Sequence, residues 1–323
     1  MRSLSGVQSS GKLHIGNYFG AIRQFIRLQD TTQGFYFVAN LHALTTQTDP
    51  AVAEDNTREV VLSFLSLGLD PAKATLFRQS DVPQVTELSW YLSCQTSFGL
   101  LQRCHAYKDK VGQGIIPTHA LFAYPVLMAS DIIIFDSDIV PVGEDQRQHI
   151  EVARDIAIKF NQVYGEVLRV PESYILDDSA TVPGVDGRKM SKSYGNAIDI
   201  FAPEKELKKI VMSIVTDSRS VEEPKDPDTN NVFNIYKLMA SKKDVEAMRG
   251  RFLAGGLGYG DAKKLLLGRI LDYFGEARRR REALEKDSAY VDKVLADGAN
   301  RAREVAGSTI ARVRKAMGVP SML

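Results

Sequence analysis

The clearest indication of the fold is a short apolar run, Phe35-Tyr36-Phe37-Val38-Ala39. Similar runs follow at residues 75–77 and 132–135. Between them, residues 53–67 and 85–92 carry apolar side chains at the three- and four-residue spacing of a helix packed on a sheet. Short apolar runs that alternate with such helices are typical of buried parallel strands. The sequence therefore predicts a doubly wound α/β domain with a parallel sheet.

The C-terminal part of the chain has a different character. Beyond residue 200, strand-like runs disappear and amphipathic segments dominate, notably residues 262–286 and 300–317. A chain of 323 residues also exceeds the usual size of one hydrophobic core. The sequence therefore predicts two domains, with the sheet in residues 1–200 and a smaller helical bundle in residues 201–323.

The composition restricts the classes of function. Because 41 basic and 40 acidic residues give a net charge of +1, any nucleic-acid site must be a local basic patch. Cys94 and Cys104 are the only cysteines, too few for a disulfide framework, an iron–sulfur cluster or a thiolate zinc site. The start of the chain has no long apolar segment, and Asp131 interrupts the most apolar later one. We expect a cytoplasmic protein that does not enter a membrane.

The first segment suited to chemistry is a glycine-bearing loop, Ser5-Gly6-Val7-Gln8-Ser9-Ser10-Gly11-Lys12-Leu13-His14-Ile15-Gly16-Asn17-Tyr18, which leads into an amphipathic segment. Such a loop brings phosphates close to backbone N–H groups and to the positive end of a helix dipole. Gly16 leaves room for a flat adenosine, and His14 and Asn17 offer donors to phosphate oxygens. The loop is neither a Walker A motif nor a dinucleotide fingerprint, and a turn that only bends the chain is the structural alternative.

The second segment is Lys189-Met190-Ser191-Lys192-Ser193, within residues 177–196. That region is rich in Gly, Ser, Asp, Pro and Lys, which predicts a mobile surface loop. Two lysines on a mobile loop can move over a triphosphate and neutralise the charge of a departing pyrophosphate. A solvated basic loop is the structural alternative.

Together, the two segments resemble the signatures of the class I aminoacyl-tRNA synthetases. Those signatures are a His-Ile-Gly-His-like motif, here His14-Ile15-Gly16-Asn17, and a Lys-Met-Ser-Lys-Ser motif, here complete. Further stretches resemble the tryptophanyl-tRNA synthetases of that class: residues 6–8, 16–18, 124–132, 141–149, 215–218 and 234–236, together with Glu151, Ala153, Arg154 and Asp155. The resemblance implies a Rossmann-like catalytic domain, a helical domain that binds the tRNA anticodon, and a homodimer. It also implies that L-tryptophan is activated with ATP and transferred to the 3′ end of tRNA(Trp).

The resemblance also assigns roles to individual residues. The catalytic residues would be His14, Lys189 and Lys192. The residues that contact ATP would be Gln8, Ser9, Ser10, Gly16, Asn17, Gly143, Glu144, Asp145, Val182, Lys189, Met190, Ser191, Lys192 and Ser193. The residues that contact tryptophan would be Asp131, Tyr124, Met128, Gln146 and His42.

Asp131 carries the expected choice of amino acid. It lies in an otherwise apolar run, where a bare carboxylate is costly unless it meets a donor. The indole N–H of tryptophan is such a donor, and a site that requires this bond rejects phenylalanine. An aspartate on a helix face that pairs with other protein groups is the structural alternative.

Residues 143–145 follow a strand-like run and precede a helix, which suits hydrogen bonds to ribose hydroxyls. A helix N-cap by Asp145 is the structural alternative. Asp145 and His149 have a spacing compatible with metal ligands, yet no further ligand is evident, so we expect no protein-bound zinc. Mg²⁺ is expected to bind through the phosphates of ATP. Lys110 either contacts phosphate or is solvated.

Two basic sets lie in the helical region, Arg278 to Arg281 and a second group formed by Arg301, Arg303, Arg312, Arg314 and Lys315. Arginines on helices bind RNA phosphates and stack on unpaired bases. Solvated helix faces, offset by neighbouring glutamates, explain the same pattern equally well. We therefore assign no anticodon-reading residue from the sequence.

Two departures from the family pattern stand near the expected pocket. Ser9 occupies a position where bacterial members commonly have proline, and Leu4 one where an aromatic residue is frequent. Three alternatives remain: a tyrosyl-tRNA synthetase, a small-molecule nucleotidyltransferase, and a non-catalytic paralogue that senses tryptophan. The context of residues 143–146 and Asn17-Tyr18 favours tryptophan over tyrosine, and the complete lysine motif argues against the other two.

Overall fold

The computed structural model describes residues 1–104, 112, 114, 116–143, 147–175 and 181–320. The chain divides into two compact units. Unit 1 consists of residues 1–11, 24–177 and 287–323, and unit 2 consists of residues 12–23 and 178–286. The two units do not coincide with the predicted segments 1–200 and 201–323. The last helix groups with the sheet because it packs on a strand, and residues 12–23 group with the lysine segment.

The sheet of unit 1 has five strands in the order β3-β2-β1-β4-β5. The strands are β1 (Arg2–Gln8), β2 (Gln33–Ala39), β3 (Thr75–Arg78), β4 (Ile139–Val142) and β5 (Glu172–Ile175). Every neighbouring pair is parallel. The predicted strands at residues 35–39 and 75–77 are confirmed, as is the α/β class. Because the strands run in parallel, their carboxyl ends meet at one edge, where open α/β sheets bind ligands.

The helices in chain order are α1 (Ile15–Asn17), α2 (Arg23–Leu28), α3 (Asn40–Ala43), α4 (Pro50–Ser66), α5 (Gln84–Ser93), α6 (Phe98–Arg103), α7 (His119–Ile133), α8 (Arg147–Tyr164), α9 (Glu204–Met212), α10 (Asn231–Tyr236), α11 (Lys242–Ala254), α12 (Tyr259–Lys286) and α13 (Ser288–Met317). A π-helical turn, Tyr18–Ile22, joins α1 to α2. The predicted helices at residues 53–67, 85–92, 262–286 and 300–317 correspond to α4, α5, α12 and α13. None of the described helices is both long and apolar enough to span a membrane.

The run at residues 132–135 was predicted as a strand, and that prediction is wrong. Ile132 and Ile133 end helix α7, and the strand that enters the sheet is β4, which follows at Ile139–Val142. Both isoleucines are buried. A short apolar run buried on all sides has the same pattern in a helix as in a strand, so only the length of the preceding segment distinguishes them.

Helix α13 packs directly on strand β3. A Cβ atom added to Gly298 would lie 1.8 Å from the carbonyl oxygen of Leu76, so only glycine permits this approach. Ala302 and Ala306 are fully buried further along the same helix. Small side chains thus let α13 cover β3, which is an edge strand of the sheet.

Unit 2 has its own apolar core, formed by the helices α9 to α12. Its fully buried side chains include Leu207, Val211, Phe233, Phe252 and Leu266. Leu207 and Val211 are four residues apart on α9, and Leu266, Ile270 and Phe274 follow at the same spacing on α12, which is the pattern of helices that bury one face against each other. Unit 2 therefore provides a separate support for the two segments that the sequence linked to phosphate binding.

Candidate active site

The acidic group of the expected tryptophan site is Asp131, on helix α7 of unit 1. Its side chain is 3% exposed, and its Oδ2 lies 2.8 Å from His42 Nε2. Tyr124 and Met128 precede Asp131 by seven and three residues on α7, which places all three on one helix face. The rings of His42 and Tyr124 meet edge to face at 6.3 Å. Four of the five predicted tryptophan contacts are therefore brought together.

Gln79 is a member of this cluster that the sequence analysis did not identify. It is fully buried and follows β3 directly. Its Nε2 donates to both carboxylate oxygens of Asp131, at 2.8 and 2.9 Å. Its Oε1 accepts from the backbone N–H groups of Leu41 at 3.0 Å and His42 at 3.3 Å. The only feature of the sequence that could have indicated Gln79 is its position shortly after a predicted strand.

Burial and hydrogen bonding act on Asp131 in opposite directions. Burial raises the pKa of its carboxyl group, whereas the hydrogen bonds from His42 and Gln79 and the charge interaction with His42 lower that pKa. The neighbours therefore compensate for part of the cost of a buried carboxylate. The sequence alternative, an aspartate that pairs with protein groups, thus describes part of the arrangement.

The end of β1 lies at the ligand-binding edge of the same sheet. Gln8 is the last residue of β1, and Ser10 N–H donates to the Gln8 carbonyl at 2.8 Å. Ser9 is 3% exposed, and its hydroxyl meets no hydrogen-bond partner in the described part of the chain. Leu4, the other departure from the family pattern, is 1% exposed and belongs to the apolar core.

Gly143 follows β4, the strand next to β1, and therefore stands at the same edge as Gln8. Helix α8 begins shortly afterwards at Arg147, which confirms the predicted strand and helix on either side. The predicted contacts Glu144, Asp145, Gln146 and Lys110 lie outside the described residues.

His14 lies in unit 2 and caps helix α1. Its Nδ1 accepts from the Asn17 N–H at 3.2 Å, and Asn17 Oδ1 accepts from the His14 N–H at 3.1 Å. Burial, assisted by the charge of Lys192, lowers the pKa of His14 to about 4. The imidazole is therefore neutral at pH 7. Because Nδ1 accepts a hydrogen bond, the proton resides on Nε2, which can donate to a phosphate oxygen.

The glycine loop and the lysine segment meet within unit 2. The Gly16 N–H points at Met190 Sδ over 3.3 Å, across 174 residues of sequence. A Cβ atom at Gly16 would lie 2.9 Å from His14 Nδ1 and 3.2 Å from Met190 Cβ. A side chain at this position would crowd both His14 and Met190, so glycine suits the close approach between the two motifs.

The lysine segment forms a short hairpin. Pro183 and Lys189 pair as an antiparallel bridge, and the Met190 N–H donates to the Val182 carbonyl at 2.9 Å. Gly187 makes the turn with φ of 86°. Val182 and Met190 are buried, whereas the side chains of Lys189 and Lys192 are exposed. The two exposed ammonium groups thus stand on a hairpin whose apolar side chains, Val182 and Met190, are buried.

Asn196 organises this hairpin and was also missed from the sequence. It is 1% exposed, and its Nδ2 donates to Asp186 Oδ1 at 2.7 Å and to the Lys189 carbonyl at 3.2 Å. Its Oδ1 accepts from the Ser191 N–H at 2.8 Å. The hydroxyls of Ser191 and Ser193 lie 2.9 Å apart. One amide therefore fixes the backbone on both sides of Met190.

Most of the basic residues considered for RNA bind other parts of the protein. Arg314 makes two hydrogen bonds to the Glu87 carboxylate, at 2.6 and 2.9 Å. Arg312 donates to Asp136, and Arg303 to the Asp81 carbonyl. In unit 2, Arg278 donates to the carbonyls of residues 200 and 202. These arginines stabilise the packing of α13 and α12, an arrangement that differs from the solvated helix faces of the sequence alternative.

Comparison with known proteins identifies the family to which the chain belongs. The family model described as tRNA synthetases class I (W and Y) matches residues 1–274. A protein of Fusobacterium nucleatum named tryptophan–tRNA ligase is 55% identical over 319 residues, which cover 98% of each chain. One of Rhodopirellula baltica with the same name is 52% identical and covers 99% of this chain and 100% of its own.

Solved structures give the same result. A crystal structure of tryptophanyl-tRNA synthetase from Campylobacter jejuni, complexed with ADP and tryptophan, superposes with a TM-score of 0.94 at 47% identity. It covers 98% of this chain and 100% of that one. The enzyme from Mycoplasma pneumoniae superposes with a TM-score of 0.83 at 31% identity, covering 99% and 98%. The chain belongs to the class I tRNA synthetases of the W and Y type, and within them to the bacterial tryptophan–tRNA ligases.

Proposed function

We propose that this enzyme activates L-tryptophan with ATP to tryptophanyl-adenylate and pyrophosphate, and then transfers tryptophan to the 3′ end of tRNA(Trp). The observation that carries the proposal is the contact between Gly16 and Met190. It joins two motifs that are 174 residues apart in sequence and that the family resemblance assigns to phosphate binding. His42 and Gln79, which hold the buried carboxylate of Asp131, support the choice of tryptophan as the amino acid.

In the first step the tryptophan carboxylate attacks the α-phosphate of ATP, and the bond to the β-phosphate breaks. No protein nucleophile is needed, because catalysis by positioning and electrostatics is sufficient. His14 donates from Nε2 to a phosphate oxygen, and Asn17 holds the imidazole through the helix cap. Lys189 and Lys192 neutralise the departing pyrophosphate.

The further ATP contacts are the residues that the family resemblance assigns. In unit 1 these are Gln8, Ser9, Ser10 and Gly143, and in unit 2 they are Gly16, Val182, Met190, Ser191 and Ser193. Glu144 and Asp145, which lie outside the described residues, complete the assignment, and Lys110 either contacts phosphate or is solvated. Mg²⁺ arrives with ATP and is held through its phosphates.

Asp131 accepts the indole N–H, while Tyr124, Met128, Gln146 and His42 surround the ring. A side chain without this donor leaves the buried carboxylate with one acceptor position unfilled, which is costly. Phenylalanine is therefore rejected.

In the second step a ribose hydroxyl of the tRNA 3′ adenosine attacks the activated carbonyl and AMP leaves. The C-terminal helical region, predicted from the sequence as residues 201–323, binds the anticodon arm. Because its substrates belong to protein synthesis, the enzyme acts in the cytoplasm.

The enzyme acts as a homodimer, and the exposed apolar side chains of Trp90 (69%) and Phe98 (65%) support an apolar contact between copies. Light scattering on the purified protein measures this state.

The test is ATP–pyrophosphate exchange with each of the twenty amino acids, with Lys192→Ala as the control. Exchange with tryptophan alone, lost in the control, is the expected result. Exchange with tyrosine would assign the chain to the sister specificity, and no exchange with any amino acid would favour a non-catalytic paralogue.

A further inference from the structure

Gln79 connects three elements at the expected tryptophan site through one side-chain amide. Its NH₂ group faces Asp131 on α7, and its oxygen faces the backbone of α3. Helix α3 has no side-chain cap of its own at Ala39, so Gln79 satisfies two donors at the start of that helix. These backbone bonds fix which way the amide points, because the reverse orientation would place oxygen against the carboxylate.

The contacts around Asp131 leave a specific acceptor position. A carboxylate offers about four lone-pair sites. The described residues supply three donor contacts, two from Gln79 Nε2 and one from His42 Nε2 to Oδ2. Among these described contacts the remaining site lies on Oδ1, and it can accept one donor. The indole ring of tryptophan has a single N–H group, which matches that number.

We propose that Gln79 is a positioning residue that determines specificity for tryptophan: it holds the Asp131 carboxylate in the orientation that leaves one acceptor site for the indole N–H. This inference rests on the proposed function, in which Asp131 reads the indole. Gln79 also fixes the backbone of His42, so the second partner of Asp131 depends on it as well. Without Gln79, Asp131 keeps only the bond from His42 and can turn, bind water or take up a proton.

The experiment compares tryptophan with an analogue in which sulfur replaces the indole N–H, β-(3-benzothienyl)alanine. Both are assayed by ATP–pyrophosphate exchange, and the ratio of their kcat/KM values is the readout. Because both substrates meet the same preparation, the ratio does not depend on the fraction of folded enzyme. Gln79→Met is expected to lower the preference for tryptophan by about 10-fold or more while kcat/KM for the analogue changes by less than about 3-fold.

The matched control is Gln29→Met. Gln29 is also a buried glutamine of unit 1, and its amide bridges two backbone groups, the Gly68 carbonyl at 3.2 Å and the Asp70 N–H at 2.9 Å. Its replacement is expected to leave the ratio unchanged. Gln79→Asn is a milder second variant, because it keeps the amide but shortens its reach, and it is expected to lower the ratio in the same direction.

The outcomes separate the inference from the proposed function. An equal loss for both substrates in Gln79→Met and Gln79→Asn would assign Gln79 a structural role and overturn the inference. If Asp131→Asn removes the preference while the Gln79 variants keep it, Asp131 reads the indole without Gln79 and the inference again fails. If the wild-type enzyme shows exchange with tyrosine in place of tryptophan, the proposed function itself fails.

Discussion

The region around Asp131 in unit 1 and the lysine hairpin in unit 2 handle charge in opposite ways. Asp131 is buried and receives three donor contacts from Gln79 and His42. Lys189 and Lys192 are exposed, and the structure around them fixes their backbone through Asn196 and Met190. One region buries a charged group among hydrogen-bond donors, whereas the other holds a backbone that presents two exposed charged side chains.

The difference agrees with the role that the proposed function gives to each region. Selecting one side chain requires an acceptor that water cannot reach, because an unmet hydrogen bond then costs free energy. Stabilising a departing pyrophosphate requires cations that can follow the charge as it moves, and exposed lysines on flexible stems suit that task. The two regions therefore predict different responses to mutation.

The largest effect is expected for Lys192→Ala. In the proposed function the ammonium group acts on charge that develops in the transition state, so its removal should lower kcat for ATP–pyrophosphate exchange by about 100- to 1000-fold. The affinity for tryptophan, measured by equilibrium dialysis, should stay within about 2-fold of wild type, because the proposed role of Lys192 is confined to the phosphates.

Lys208→Ala provides the control for the lysine prediction. Lys208 is another exposed lysine of unit 2, on helix α9 and outside the hairpin. A comparable loss of kcat in this variant, or a large loss of tryptophan affinity in Lys192→Ala, would contradict a role confined to the phosphates.

A smaller effect with the opposite signature is expected for Asp131→Asn. The neutral amide accepts a weaker hydrogen bond and places an N–H group among the donors of Gln79 and His42. We expect kcat/KM for tryptophan to fall by about 10- to 100-fold, mainly through KM. Steady-state exchange across tryptophan concentrations measures this, and a loss confined to kcat would place Asp131 in the chemical step.

The next effect is expected for Asn196→Ala. The change removes the donor to Asp186 and to the Lys189 carbonyl, and the acceptor for Ser191 N–H. The hairpin then samples more conformations, so kcat for exchange should fall by about 10-fold while tryptophan affinity is unchanged. Asn234→Ala, an asparagine on α10, serves as the control, and an equal fall in both variants would indicate general destabilisation of unit 2.

The two regions also differ in how far the sequence predicted them. The motif residues Gly16 and Met190 were expected to act together, and the structure places them in contact. Gln79 and Asn196 belong to no sequence motif, because the role of a buried amide depends on which elements pack around it in the folded chain. The spacing of residues in the sequence does not predict hydrogen bonds between residues that are far apart along the chain.

The fold shows the same limit. Residues 35–39 and 75–77 were correctly predicted as strands because β2 and β3 are short apolar runs between turns. Residues 132–135 were not, because the buried end of α7 has the same composition as a strand. The grouping of α13 with the sheet depends on the absence of a side chain at Gly298, a contact that helical periodicity does not encode.

The smallest effect at neutral pH is expected from the titration of His14. Burial and the charge of Lys192 lower its pKa to about 4, so kcat/KM should show no inflection from this residue between pH 6 and 8.

The same shift affects stability. A lowered pKa of His14 in the folded chain means that the unfolded chain takes up the proton first, near pH 6.5. The free energy of unfolding should therefore fall as the pH decreases from about 6.5 to about 4. Urea unfolding at pH 7 and pH 5 tests this against His14→Asn, which keeps a side-chain acceptor at the helix N-cap but cannot titrate. Equal pH dependence in both proteins would show that His14 is not held neutral by its surroundings, and it would remove the reason to treat Nε2 as a fixed donor to phosphate.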